Sequence, residues 1–391
     1  MIFLEKPYVS NFFKETITAN SYPIVNTETA REFGFGDYPY LMDQEDVVEA
    51  FKSGAEPVLY TTSENAIGWI AENLAFTGLP QKIDLFKDKV KFRQMIKELF
   101  PDFYFKGLSR DKLAEFSLDG VPLPFIIKPS IGFFSMGVYK VSDPGEWGKI
   151  LASIDQDMES QKGLYPEEVL DTSQFILEQC IEGQEFAVDA YFNAAGEPVV
   201  LNILEHVFSS AEDVSDRIYM TSRDIIKENL EDFMIFLKDL GRVSGVRNFP
   251  VHVELRKDGA GNIIPIEANP MRFGGWCTTG DIGFLAHGFN PYEYYFQQKK
   301  PDWEKIISSS PGDLFSIIVL DNSTGLTGDQ IADFDYKRVL AGFENPLDLR
   351  KIDYNEYPVF GFVFARTKKE NFSELDKILR SNLREFVTPK G

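Results

Sequence analysis

The sequence predicts two architectures in series: a small α/β layer at the N-terminus, followed by an α+β body built on long antiparallel strands. Three observations point there. Short apolar runs alternate with helix-like stretches up to residue 82, whereas beyond Ser173 strand-like runs follow one another directly through glycine-bearing turns. A chain of 391 residues, 43% apolar and 14% aromatic, is also long enough to bury more than one core.

In the first layer, "MIFL", "PIV" and "PVLYTT" read as strands, and Ser10 to Thr18, Asp43 to Lys52 and Glu64 to Leu74 carry helical spacing. Ser63 is placed as a helix N-cap, because its hydroxyl can accept a free N–H of the first turn. Pro80 punctuates the chain beyond that helix, and a boundary is expected near residue 82, giving domains 1–82, 83–300 and 301–391. The second domain opens with a polar helix, "KDKVKFRQMIKEL", and a strand, "PFIIKPS". A glycine-containing loop and a helix from Pro144 to Ile154 come next. Long strands follow in "SQFILEQCIEG", "QEFAVDAYFNAAGEPVVLNILEHVF" and "FPVHVELRKDGAGNIIPIEANP", with hairpin turns at "NAAGE" and "DGAGN". Ser222 to Gly241 is helical between the two hairpins. The last domain adds the strands "FSIIVLD" and "VFGFVFAR" and a closing helix, "SELDKILRSNLREF".

A formal charge of −21 argues against nucleic acid or an anionic membrane as partner, since both need a dense basic footprint. A small anion held by a few placed Lys and Arg residues is still compatible. Cys180 and Cys277 lie far apart and in no metal or redox spacing, so they are expected to be free thiols. No basic start with a long apolar core, and no run of the length of a membrane span, is found; the chain is expected to be soluble and cytoplasmic.

The last hairpin carries chemistry. Folded about the loop Gly259 to Asn262, its strands place Asp258 opposite Ile263, Glu254 opposite Glu267 and His252 opposite Asn269. His252, Glu254, Glu267 and Asn269 then share one face, and Val251, Val253, Leu255, Ile266 and Ala268 share the other. Two carboxylates facing each other repel, and relief of that repulsion is expected to stabilise the hairpin. A divalent cation would relieve it, and magnesium takes one or two carboxylates together with phosphate oxygens and water. The alternative is a solvated polar face with Glu254 and Glu267 pointing at water. Two further motifs bear on this choice. "FIIKPSIGFFSMGV" delivers Lys128 at a strand end before Gly132, Ser135 and Gly137, a loop suited to a polyphosphate or simply a turn. "FILEQCIEGQEFAVD" places Glu178, Gln179, Ile181 and Glu185 where backbone donors and carboxylates could meet a purine and ribose, although either Glu could be a solvent-facing strand charge.

Taken in order, Lys89, Lys128, the glycine loop, Glu178, Glu254, Glu267, Asn269 and Arg272 make the chain resemble the ATP-grasp superfamily, in particular its carboxylate–amine ligases, over about residues 83–280. That resemblance implies an ATP-grasp fold of α/β and α+β parts, with an N-terminal pre-ATP-grasp domain and a C-terminal α+β extension. It implies ATP and magnesium, or manganese, as cofactors. Lys89 and Lys128 would meet ATP phosphates under a lid that includes Ser135 and Gly137. Glu178, Gln179 and Ile181 would meet adenine, and Glu185 the ribose. Glu254, Glu267 and Asn269 would hold the metal. Arg272, with Lys128 the implied catalytic pair, would face the phosphoryl group beside Gly274 and Gly275. Phe133 and Phe134 replace the glycine common in that lid. A further phosphate contact would come from Arg217, Arg223 or Lys227.

Trp276, Arg217, His206 and Tyr219 are candidates for the acceptor pocket, each with packing as the alternative, and His287 could equally be a packing residue. The implied function is ATP-dependent ligation of a small carboxylate to a small-molecule amine, an amino acid or peptide among them, through an acyl phosphate with ADP release. Kinase-like phosphoryl transfer and a non-catalytic nucleotide-binding protein are the alternatives. A homodimer is compatible with all three. No Met-Lys-Met segment marks a biotin carrier.

Overall fold

The computed structural model describes residues 1–54, 57–132, 137–161, 171–210, 213, 215–309 and 311–390. Its N-terminal layer is a parallel sheet in the order Leu41–Met42, Ile24–Val25, Ile2–Phe3 and Tyr60–Thr61. The Leu41–Met42 strand was not anticipated; only two residues long and half-buried, it leaves no apolar run to read. Ser10 caps the helix Asn11–Asn20 by accepting from the Phe13 N–H at 3.1 Å. Ser63 caps as expected, accepting from the Asn65 N–H ahead of a 3-10 turn, Glu64–Ala66, that runs into the helix Ile67–Asn73.

The expected boundary near residue 82 falls inside a helix, Leu79–Lys87. Pro80 occupies its first turn, where a missing N–H costs nothing, so the proline opens this helix and does not close the preceding segment. The single helix expected from Lys87 onward is broken at Asp88, which is extended (ψ 112°) and accepts from the Val90 and Lys91 N–H groups. A new helix, Lys89–Met95, therefore starts with Lys89 in its first turn.

Two antiparallel sheets form the body. The smaller has the order Phe105–Ser109, Asp171–Gln179, Phe125–Ile131, Tyr139–Val141, and buries Phe125, Ile127, Phe175 and Leu177 with Ile154 of the helix Trp147–Gln161. The larger has eight strands, in the order Ile263–Pro270, Phe249–Lys257, Gln184–Phe192, Pro198–Val207, Ile218–Thr221, Leu314–Asp321, Val359–Thr367 and Pro346–Lys351. The helix Arg223–Ser244 lies on one face of it, and Phe233, Leu237 and Leu240 join Phe186, Val188, Val251, Val253 and Leu255 in the main core. Strands from beyond residue 301 continue this sheet: Ile218–Thr221 pairs with Leu314–Asp321, a short link whose four residues carry no signal of their own. The closing helix stops at Leu379, and Leu383, at φ +59°, turns the chain into a last 3-10 turn. Among the described residues no helix is long and apolar enough to cross a membrane.

The last hairpin is half as expected. Glu254 pairs with Glu267 and His252 with Asn269, but beyond Glu254 the register slips by one, so that Lys257, and not Asp258, faces Ile263. Ile266 is the extra residue of this bulge and is only half-buried, outside the core face assigned to it. The cause is Pro265, which has no N–H to give to the ladder and is accommodated where pairing lapses.

Candidate active site

The small sheet supplies the first charges. Lys128 stands in mid-strand, not at a strand end as expected, because the strand Phe125–Ile131 stays buried through Ser130; its Nζ lies 2.6 Å from Oε1 of Glu178 on the adjacent strand. Arg93, four residues after Lys89 on the same helix face, reaches the other oxygen of Glu178 at 2.7 Å and lies over the Phe103 ring. All three side chains are buried, so the solvated alternative for Glu178 fails. Burial alone would raise the Glu178 pKa, but Arg93 and Lys128 outweigh it and bring the group down to about 2. Lys87 and Arg272 do the same for buried Glu64, also to about 2.

These depressed values carry a sign. Stability from both carboxylates is complete above their ordinary 4.5 and is lost as pH falls through about 2. Urea midpoints of the nucleotide-free protein should therefore fall steeply as pH drops from about 4.5 toward 2. A midpoint that stays level or rises over that interval would remove both ion-pair assignments.

The large sheet brings the second set. Glu254 and Glu267 face each other on the hairpin, both about a quarter exposed on the side chain (27% and 21%), and Asn269 donates to Glu267 Oε1 at 3.4 Å. The two differ electrostatically. Burial and the Glu267 charge push Glu254 well above the carboxylate range, whereas Lys89, 2.9 Å from Glu267 Oε2, overcomes burial and holds Glu267 down at about 2. Glu267 in turn raises Lys89 against the cost of burial, and the Lys89 ammonium also reaches the Gly132 carbonyl at the entry to the glycine loop.

The third set comes from the N-terminal layer and the turn after the hairpin. Thr61 N–H bonds the Met271 carbonyl at 2.9 Å, docking the two segments together. Arg272 then gives one nitrogen to Glu64 Oε1 at 2.8 Å and another to the Phe273 carbonyl at 2.9 Å, while Lys87 pairs with the other oxygen of Glu64. Gly274 packs so closely that a Cβ would fall 2.3 Å from Thr279, whereas the same atom on Gly275 would meet open space. Trp276 is buried against Tyr8, Tyr357 and Phe362.

Other expected residues are placed as follows. Gln179 is committed to Tyr104, through its N–H to the Tyr104 carbonyl and its side-chain oxygen to the Tyr104 N–H. The Ile181 carbonyl takes a nitrogen of Arg256, and the Ile181 N–H has no partner among the described residues. Glu185 is buried and doubly paired, to His206 at 2.8 Å and to Arg256 at 2.9 Å, so it too is no solvent-facing charge. His206 stacks on Tyr219 and gives its second nitrogen to Ser215. Arg217 is not brought to this cluster. Its guanidinium bonds Asp321, Ser323 and Ser381 and ties the last segment to the sheet. Arg223 pairs with Asp224, and Lys227 is exposed. His287 bonds Asn202, in keeping with packing. Gly137 is buried at φ +67°, and Ser135, Phe133 and Phe134 lie outside the described residues.

Lys87, Arg93 and Glu64 were not anticipated. Arg93 could have been found from its spacing to Lys89, and Lys87 from its place two residues before it; Glu64 sits in a helix start of the N-terminal layer, with no local sign that it meets Arg272.

Among the described residues no three His, Cys, Asp or Glu side chains converge into a closed metal cage. Glu254, Glu267 and the Asn269 amide instead offer a partial set of hard oxygens with one carboxylate uncompensated, which fits a magnesium ion that takes its remaining ligands from phosphate and water.

Residues 121–280 match the family of ATP-grasp domains. No curated protein sequence matches the chain. Among solved structures it is similar to an L-amino acid ligase from Bacillus licheniformis, with a TM-score of 0.69 at 16% identity over 100% of this chain and 98% of that one. A biotin carboxylase from Campylobacter jejuni gives 0.63 at 12% identity over 100% and 92%. An N5-carboxyaminoimidazole ribonucleotide synthetase from Thermotoga maritima gives 0.61 at 14% identity over 99% and 98%. At such identities the likeness is one of fold.

Proposed function

We propose that this chain, whose residues 121–280 form an ATP-grasp domain within a whole-length ATP-grasp fold, is an ATP- and magnesium-dependent ligase that joins a carboxylate to an amine. The observation that carries the reading is that two opposed carboxylates, Glu254 and Glu267, stand in the field of cations from three separate segments: Lys89 pairs with Glu267, while the charges of Lys128 and Arg272 act on Glu267 and Glu254 from further off. Full-length likeness to an L-amino acid ligase favours amino acids or short peptides as substrates.

In this reading Lys89 and Lys128 exchange their carboxylate partners for phosphate oxygens of ATP. Arg93 keeps Glu178 ionised and in place when Lys128 turns to phosphate. The Ile181 N–H, unpaired among the described residues, is available to the adenine, and Glu185, oriented by His206 and Arg256, keeps lone pairs for the ribose hydroxyls. Glu254, Glu267 and Asn269 would hold magnesium, which when bound neutralises charge on the phosphates. A carboxylate oxygen of the substrate attacks the γ-phosphorus, the bond to the β,γ-bridging oxygen breaks, and ADP leaves. Arg272, restrained by Glu64, presents its planar fork to the resulting acyl phosphate. The amine then attacks the acyl carbon, phosphate departs, and the nitrogen gives up a proton as the amide forms.

The test is a trap. Protein, ATP, magnesium and pairs from an L-amino acid panel are incubated with hydroxylamine. Formation of a hydroxamate together with ADP is expected. AMP with pyrophosphate would mean adenylation, and ADP without any dependence on the acid would mean no ligase.

A further inference from the structure

A row of buried polar residues crosses the large sheet. Asn269 pairs with His252, His252 with Asp189, and Asp189 with Asn202, on four adjacent strands whose other buried side chains are mostly aliphatic and aromatic. Asp189 stands at its centre at 0% exposure, and among the described residues no Lys or Arg pairs with it. One oxygen accepts from His252 Nδ1 at 2.7 Å and from the Gly274 N–H at 3.0 Å. Among the described residues the other is buried without a partner, as is the Oγ1 of Thr279, whose side chain packs against Gly274. Burying a carboxylate this way is costly, so its place asks for a role.

What the row holds is the turn after the metal hairpin. Met271, Trp276 and Cys277 all adopt left-handed backbone, at φ +66°, +58° and +58°. Each costs about 1–2 kcal/mol for a residue with a side chain, and such strain persists only where surroundings dictate it. Those surroundings are the Tyr60 hydroxyl on the Phe273 N–H, Asp189 on the Gly274 N–H, Arg350 on the Trp276 carbonyl and Asn202 on the Thr279 carbonyl. Only Asp189 also reaches toward the metal face: the second nitrogen of His252 lies 3.7 Å from Glu254.

We infer that Asp189 is a positioning residue that fixes the Arg272–Thr279 turn, with Arg272 and Gly275, in register with the Glu254/Glu267 face, and so governs use of the carboxylate and amine substrates and not of ATP. This rests on the ligase reading. Lys89 and Lys128 take no support from Asp189, so nucleotide affinity is independent of it. An asparagine keeps an oxygen able to accept both bonds, whereas an alanine removes both.

The test compares Asp189→Ala and Asp189→Asn in the full chain. In the alanine variant the KM for an amino-acid pair active in the parent should rise about tenfold or more, as misplacement near 1 Å does, with ATP affinity by calorimetry within about twofold. The asparagine variant should stay close to the parent. Fluorine NMR of protein labelled with 5-fluorotryptophan should move or broaden the Trp276 line in the alanine variant and leave those of Trp69, Trp147 and Trp303 in place. Should alanine prevent folding, Gly274→Ala displaces the same turn against Thr279 and should reproduce both effects. An unmoved Trp276 line with unchanged amino-acid KM, or an equal loss of ATP affinity, overturns the inference. If no amino-acid pair drives ADP release in the parent, the ligase reading has failed, and the Trp276 line alone decides whether Asp189 fixes the turn.

Discussion

Glu267→Gln is expected to slow substrate-dependent ADP formation by about a hundredfold or more, equivalent to about 3 kcal/mol of transition-state stabilisation. Glutamine keeps the shape of the side chain but removes one of the two carboxylates that would hold magnesium. Steady-state rates at saturating ATP and magnesium check it, and a rate within threefold of the parent would take Glu267 out of the metal site. The stability effect reverses what the sequence suggests. Facing carboxylates imply that neutralising either should stabilise the hairpin, yet Glu267 is already compensated by Lys89 at 2.9 Å. Its loss strands a buried ammonium, and should cost the metal-free protein about 2 kcal/mol. Glu254 has no such partner and is the group that burial and Glu267 push upward. Glu254→Gln should therefore be the stabilising change, by up to about 1 kcal/mol at pH 8 without metal. Urea midpoints of the two variants moving the same way would refute this division.

Lys128→Met is expected to weaken ATP binding by about 30-fold, or about 2 kcal/mol, because a charge-assisted phosphate contact is lost from a buried site. The fold should survive. Glu178 keeps Arg93 at 2.7 Å, so the substitution leaves no orphaned carboxylate. Glu178→Ala is the contrasting case, since it would strand Lys128 and Arg93 together and should lower the melting temperature much more than Lys128→Met does. Calorimetry with magnesium ATP and thermal melts of both variants separate the two effects; nucleotide affinity unchanged in Lys128→Met would place that lysine outside the phosphate site.

Local patterns were legible to different depths. Alternation in "VHVEL" and "IEANP" is enough to put Glu254 opposite Glu267, because a strand's two-residue period leaves few registers that keep Val251 and Val253 in the core. The same reading failed beyond Glu254, where Pro265 withdrew one donor and Ile266 bulged, a cost that only the completed ladder reveals. The Ser63 cap depends on the next turn of backbone alone and was equally readable, whereas Ser10 was read as part of its helix and caps it instead.

By itself the sequence determined the order of the layers, the hairpin carboxylates and the strand that carries Lys128, because periodicity, capping and turn chemistry act over a few residues. Only the tertiary structure decided what neutralises those charges. Glu64 meets Arg272 across more than 200 positions, Arg93 meets Glu178 across 85, and Asp189 meets the Gly274 amide across another 85. Such pairings leave no local trace, since an ion pair is set by which elements the packed core brings together, and its energy by the burial that the same packing imposes.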